Sequence, residues 1–187
     1  MSIYIETERL ILRTLEPSHG PILLRYYREN EAFFRPWLPA FDDDFISLGF
    51  QTMRLAYDKK AYDRGSKINL YLFQKTEKET KQLIGDISFS NIIRGVFQSC
   101  FVGYKMAESA NGKGYMTEAL AHSIEYIFRE YNLHRVEANI MPRNHASQAV
   151  VKKLGFKQEG YSEKYLKING RWEDHLRFAL LNQRRLT

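Results

Sequence analysis

Three short stretches in the middle of the chain limit its architecture most: INLYLFQ (residues 68–74), LIGDISFSNII (83–93) and SCFVGYKM (99–106). Each is rich in aromatic and branched residues and is set off by polar stretches, as β-strands are. In the third, Cys100, Val102, Tyr104 and Met106 fall on one face because side chains alternate along a strand. RLILRTL (9–15) alternates as a further strand. EPSHGPILLRYYREN (16–30) reads as a helix, with Pro17 near its start where proline is tolerated and Leu23 one turn from Tyr27. The aromatic-rich FFRPWLP (33–39) reads as a turn, and a second helix is expected over 46–63 with Ile46, Phe50, Met53 and Tyr57 on one side. A helix over 114–131 carries Met116, Leu120, Ile124 and Phe128 at helical spacing. HRVEANIM (134–141) follows as a strand, ASQAVVKKLGF (146–156) as a short helix, and a last hairpin turns at Asn169-Gly170. That pair suits a two-residue turn with positive φ at both central positions. The predicted order, β-α-α-β-β-β-α-β-α-β-β, describes a mixed α/β fold built around one sheet.

A chain of 187 residues with 44% apolar content fits one domain, 1–187, that folds without disulfide staples. The single cysteine, Cys100, allows neither an internal disulfide nor a cysteine-rich metal cage, so a reducing cytoplasm is the expected compartment. The start, MSIYIETERL, has neither the basic opening nor the long apolar stretch of a signal peptide, and no run approaches eighteen apolar residues. The formal charge of +6 is concentrated. Residues 143–187 hold ten Lys or Arg against four Asp or Glu, while the first 142 are balanced at eighteen of each. A basic C-terminal quarter either attracts phosphate, of a cofactor or of RNA, or is a solvated face.

The segment NGKGYMTEAL (111–120) stands between a strand ending at Met106 and a helix opening near Gly114. The first amides of a helix lack internal partners, and the helix dipole favours negative charge there. Glycines let a phosphate approach the backbone. Lys113 either adds charge to such a site or is solvated. The spacing is that of neither the P-loop nor GxGxxG, and a surface turn accounts for Gly-Lys-Gly equally well.

The second half adds to this. NHASQAVVKKLGFKQEGY (144–161), with the glycine segment about thirty residues before it, resembles the acyl-CoA-binding core of the GCN5-related N-acetyltransferase superfamily. The family signature, Gln/Arg-x-x-Gly-x-Gly/Ala, reads here Asn111-Gly112-Lys113-Gly114-Tyr115-Met116, departing at both outer positions. Within the superfamily, ETERLILR, GYMTEAL, HRVEANIMPRNHAS, KLGFKQEGY and ING-RWEDH resemble the RimJ/RimL-type ribosomal-protein-alanine N-acetyltransferases. YYRENEAFFRPWLP and FSNIIRGVFQSCFVGY are especially similar to the RimJ branch. The likeness implies a single α/β (α+β) domain, its mixed, mostly antiparallel sheet flanked by helices. It also implies acetyl-CoA as co-substrate and no metal. Backbone amides around Asn111, Gly112, Lys113, Gly114, Tyr115, Met116 and Thr117 would hold the diphosphate, Tyr104 and Met106 would pair with pantetheine, and Asn144 would hydrogen-bond that arm.

The implied chemistry is direct attack of a neutral amine on the thioester, needing a base, a polarised carbonyl and an acid for the thiolate. By resemblance Ser147 is the acid, although a serine there also suits a helix cap. Glu137, directly or through a water, is the candidate base; it shares a strand face with Asn139, and a salt bridge is its alternative. Glu108, Glu118, Glu163 and Asp174 remain further candidates, whereas His122, His134 and His145 are spaced neither as metal ligands nor as a triad. Nothing near Cys100 activates it as a nucleophile. An α-amine, with a pKa near 7.7–8.0 against about 10.4 for lysine, favours protein N-termini as acceptors. Phe34, Trp37 and the run Asp42-Asp43-Asp44 would shape the acceptor entrance. The implied partner is a ribosomal protein N-terminus, by resemblance the fifth of the small subunit. Ribosomal RNA is a further contact, DNA and membrane are not, and the oligomer is a monomer or homodimer. A small-amine acetyltransferase acting on a polyamine or an aminoglycoside, and a non-catalytic ribosome- or RNA-binding module, are the alternatives.

Overall fold

The computed structural model describes residues 2–40, 43–75 and 82–183. Eight strands form one sheet in the order β1-β2-β3-β4-β5-β6-β8-β7. They are β1 (Tyr4–Glu6), β2 (Leu10–Arg13), β3 (Ile68–Gln74), β4 (Leu83–Ile93), β5 (Ser99–Met106), β6 (Arg135–Ile140), β7 (Lys157–Ile168) and β8 (Arg171–Leu181). The helices are α1 (Gly20–Phe34), α2 (Leu48–Asp63), α3 (Tyr115–Glu130) and α4 (His145–Lys153). No helix among the described residues is long and apolar enough to cross a membrane.

Every strand pair is antiparallel except β5 with β6. That exception decides the shape of the site. The parallel ladder holds only for Ser99–Arg135, Cys100–Val136 and Phe101–Glu137. Beyond it β5 continues beside β4 as far as Met106, opposite Gly85, while β6 continues beside β8 as far as Ile140, opposite Leu176. The two strands diverge, and the backbone groups along the inner edges of the opening are left without a ladder partner.

Helices cover the two faces. α1 and α2 pack over β4 and β3, and α3 and α4 lie against β2, β5 and β6. Ladder partners share a face, so Tyr71, Asp86 and Lys105 form a cross-strand row. Tyr27 and Arg54 of the α1–α2 layer meet that row, the Lys105 ammonium lying 5.4 Å from the Tyr27 ring centre. Gln74, on the opposite face, donates to the Tyr115 hydroxyl of α3 at 2.9 Å.

The expected face of Cys100, Val102, Tyr104 and Met106 is present and largely buried. The hairpin turn is as expected, with φ of 43° at Asn169 and 79° at Gly170. Three expectations change. A first strand, β1, precedes the anticipated one; three residues are too short to display a period. The segment read as an aromatic turn begins inside α1, which runs on to Phe34. α2 starts after Ser47, whose hydroxyl accepts from the Phe50 amide at 3.2 Å. Its buried positions are Gln51 and Leu55, whereas Met53 and Tyr57 are exposed. Gln51 tolerates burial because its amide donates to the Phe45 carbonyl at 2.6 Å. A buried polar residue, half of whose amide is bonded while its Oε1 has no hydrogen-bond partner, thus stands where spacing alone suggested an apolar stripe.

Candidate active site

The glycine segment sits at the mouth of α3. Gly114 is its N-cap at φ 78°, and Gly112 has φ 74°. The Glu118 amide donates to the Gly114 carbonyl at 3.1 Å. The amides of Tyr115, Met116 and Thr117 therefore point out of the helix start, where an anion supplies the missing acceptor. Two anchors shape this mouth. Asn111 folds its side-chain amide back onto the Ala107 carbonyl at 2.9 Å, closing the loop after β5. Arg9 donates to the Lys113 carbonyl at 2.9 Å and pairs with Glu118 at 2.6 Å. Burial works against the Glu118 charge, yet the Thr7 hydroxyl and the Arg9 amide and guanidinium hold its carboxyl below the usual range. Glu118 is thus structural. Lys113 turns its ammonium to the Ser109 carbonyl at 2.8 Å. Tyr115 and Met116 contribute backbone, their side chains being spent on Gln74 and on the core.

From this mouth the β5–β6 opening leads into a cleft of about 660 Å³. Asn111, Gly112, Tyr104, Met106 and Ser147 line it, and so do Phe34, Trp37 and His175. A second cavity, of about 520 Å³, runs along the later part of α3 and the end of β8, where no helix start opens. The first cleft alone unites the glycine mouth with the diverging strands.

The residues expected at the site divide clearly. Asn144, not Ser147, is the N-cap of α4: its side-chain oxygen accepts from the Ser147 amide at 3.1 Å, and among the described residues no hydrogen bond engages its amide nitrogen. The Ser147 hydroxyl carries no cap bond, and its carbonyl accepts from the Tyr104 phenol at 2.8 Å. That bond fixes the first turn of α4 to β5 and spends the Tyr104 hydroxyl, so Tyr104 offers its backbone. Phe34 is packed among Tyr26, Tyr27 and Phe33, while Trp37 carries the Arg143 guanidinium 4.9 Å above its ring. Burial pushes the Cys100 thiol up to about 12, with Glu137 adding to the effect, which keeps it protonated.

Glu137 does not reach the cleft. It stands opposite Phe101, on the last rung where β5 and β6 are still paired, and accepts from Arg135 at 3.0 Å. The salt-bridge alternative holds; Asn139, two residues on, is the position of that face lining the opening. The acidic run does not contribute either, since Asp44 is exposed and outside the cleft lining, and Asp42 and the Asp43 side chain lie outside the described residues. Among the described residues no cluster of three or more His, Cys, Asp or Glu could hold a metal ion.

Sequence reading missed several cleft residues: Asp86, Lys105 and Arg54 at its floor and His175 in its wall. A lone Asp in an apolar strand was the available signal for the first. His175 stands in ING-RWEDH, whose family likeness carries no signal of its own for a proton acceptor.

Residues 9–157 match the family described as Acetyltransferase (GNAT) domain. The chain is similar to the [ribosomal protein uS5]-alanine N-acetyltransferase of Escherichia coli, 38% identical over 95% of this chain and 90% of the relative. Among solved structures, the ribosomal-protein-S5-alanine acetyltransferase of Vibrio fischeri superimposes with a TM-score of 0.90 at 31% identity, covering 97% of each chain. RimJ of Mycobacterium smegmatis, solved in complex with CoA-disulfide, gives 0.87 at 25% identity over 95% of this chain and 84% of that one.

Proposed function

This chain belongs to the acetyltransferase (GNAT) family, and on that premise we propose that it acetylates the N-terminal α-amine of a ribosomal protein beginning with alanine, the fifth small-subunit protein by similarity. The observation that carries the reading is the pairing of an anion-ready helix start with a strand opening that leads to a cleft.

Acetyl-CoA, when bound, supplies a thioester carbonyl open to direct attack by a neutral amine. The chain's own groups suit that molecule. The amides of Tyr115, Met116 and Thr117, beside Gly112 and Lys113, would take the diphosphate at the positive end of the α3 dipole. The unladdered backbone at Tyr104 and Met106 would pair with the pantetheine amides, and the amide nitrogen of Asn144 would hold the same arm. Ser147, at the first turn of α4, would donate its hydroxyl proton to the leaving sulfur. Phe34 and Trp37 would bound the acceptor's path.

The acceptor class follows from acid–base chemistry. An α-amine releases its proton two to three powers of ten more readily than a lysine at neutral pH, so a site with a modest base serves an N-terminus best. Lys152, Lys153, Lys157 and Lys167 are exposed and would be available to ribosomal RNA. Arg135 and Arg143 would be less so, being paired with Glu159 and Glu173.

Incubation with acetyl-CoA and extracted ribosomal proteins should add one acetyl mass to a single N-terminus beginning with alanine. Acetylation of free polyamines with peptides ignored would reject this reading. Ser147→Ala should lower turnover by at least about tenfold and leave the acetyl-CoA Kd nearly unchanged. Equal turnover would reduce Ser147 to a structural part of the first turn of α4.

A further inference from the structure

We propose that His175 accepts the proton of the acceptor's ammonium, working from the opposite face of the sheet to Ser147; this rests on the acetyltransferase reading above. Ladder partners share a face, so Phe101, Glu137 and Ala179 lie together, as do Asn139 and Arg177. Alternation puts Lys105 with Phe101, and His175 with Arg177, on that same face. Tyr104 lies on the other face, where its hydroxyl meets the Ser147 carbonyl. His175 and Ser147 both line the cleft. The two groups therefore flank the opening from its two sides, one able to take a proton from the entering amine and the other able to give one to the leaving sulfur.

The imidazole is held ready for this. His175 is 3% exposed, with its Nδ1 2.9 Å from the Glu173 carbonyl oxygen. A carbonyl only accepts, so in the neutral ring Nδ1 carries the hydrogen and Nε2 keeps its lone pair. The Tyr165 ring packs edge-on at 5.7 Å and limits rotation. Among the described residues, no hydrogen bond engages Nε2.

The other ionisable groups around the cleft are committed. Asp86 pairs with Lys105 at 2.7 Å, and Lys67 with Asp58 at 2.8 Å. Arg54 donates to the Tyr27 hydroxyl at 2.6 Å. Beside His175 itself, Glu173 pairs with Arg143 at 3.0 Å, and Asp174 accepts from the Tyr161 hydroxyl and the Lys164 amide. Burial pushes the Tyr104 phenol up, so it remains a donor. The floor cations Arg54, Lys67 and Lys105 outnumber Asp86 and Asp58, which disfavours an ammonium and eases its loss of a proton. In the step, one ammonium N–H bond breaks and an Nε2–H bond forms. The electron pair stays on the amine nitrogen, which becomes the nucleophile, and the imidazolium then releases its proton to solvent.

The test uses the full chain. His175→Gln should lower kcat with an Ala-initial peptide at least about tenfold and abolish the acid limb of the kcat–pH profile, with the acetyl-CoA Kd and Tm unchanged. A second readout needs no turnover. In the CoA-bound, 15N-histidine-labelled wild type, the His175 signals should report the Nδ1–H tautomer, and the peptide should shift Nε2. The variant keeping wild-type kcat and pH profile, or Nε2 carrying the hydrogen or ignoring the peptide, overturns the proposal. Should the variant unfold, the resonance measurement decides alone. Should the wild type acetylate only free amines, the acceptor reading fails instead, and the same titration with that amine decides the role of His175.

Discussion

Asp86→Ala is expected to lower the free energy of unfolding by about 3–5 kcal/mol, the usual consequence of removing one partner from a buried ion pair. Asp86 and Lys105 face each other on neighbouring strands, 2.7 Å apart, with side chains 4% and 18% exposed. Burial disfavours the Lys105 ammonium, and the Asp86 carboxylate, through charge and hydrogen bond, together with Tyr27 outweighs that effect. Arg54 is close by, its guanidinium 5.0 Å from the Tyr27 ring that Lys105 also faces. Burial, with Asp86 next, pushes the Tyr26 phenol up, so that hydroxyl stays protonated beside the carboxylate. Without Asp86, Lys105 loses its carboxylate partner beside Arg54, while the remaining carboxylate, Asp58, is already paired with Lys67. For a chain of this size the loss corresponds to a fall in Tm of roughly 6–20 °C. Urea unfolding measures it without the screening that guanidinium brings. Asp86→Leu combined with Lys105→Met should recover most of the lost stability, since an apolar pair of similar volume replaces the charges together. A single-variant loss below about 1 kcal/mol, the range of exposed pairs, would mean that water screens the pair and that the floor is not dry.

This floor shows where sequence reading stops. Strands β3, β4 and β5 were legible because aromatic and branched residues repeat with polar breaks, and the closing turn was legible because Asn169-Gly170 has few other uses. The glycine mouth was legible through the order strand, polar loop, helix. None of those signals reports who faces whom. Asp86 and Lys105 meet only through the β4–β5 register, and their nineteen-residue separation has no period to betray it. Alternation puts Glu137 on the same face of β6 as Asn139. Its failure is one of depth along the strand, because the β5–β6 ladder is still closed there and opens one step later, at Asn139. Face comes from alternation, which sequence displays; depth comes from where two strands part, which it does not. His175 belongs to the same class, since its tautomer is set by a backbone carbonyl two residues away.

The position where sequence and structure agree most closely also gives the sharpest binding test. Gly114→Val should weaken CoA binding by roughly ten- to a hundredfold. That range corresponds to losing one charge-assisted hydrogen bond of about 1.5–3 kcal/mol. At φ 78° a branched side chain is strained, typically by about 1–3 kcal/mol, and although the added Cβ itself would stand in ordinary contact, 3.4 Å from the Arg9 guanidinium, the two methyl groups beyond it would crowd that side chain. Arg9 cannot retreat freely, because it holds the Lys113 carbonyl and Glu118. The strain would be relieved by turning the first amides of α3 away from the direction an anion needs. Gly112→Ala provides the comparison. Its φ of 74° is similarly unfavourable, but nothing stands within 4 Å of the new methyl group. It should therefore cost stability while weakening CoA binding much less. Calorimetric titration with CoA separates the two effects, with urea unfolding run in parallel. Wild-type affinity in Gly114→Val would mean that the diphosphate does not rest on these amides, and the anion site would have to be sought elsewhere along the opening.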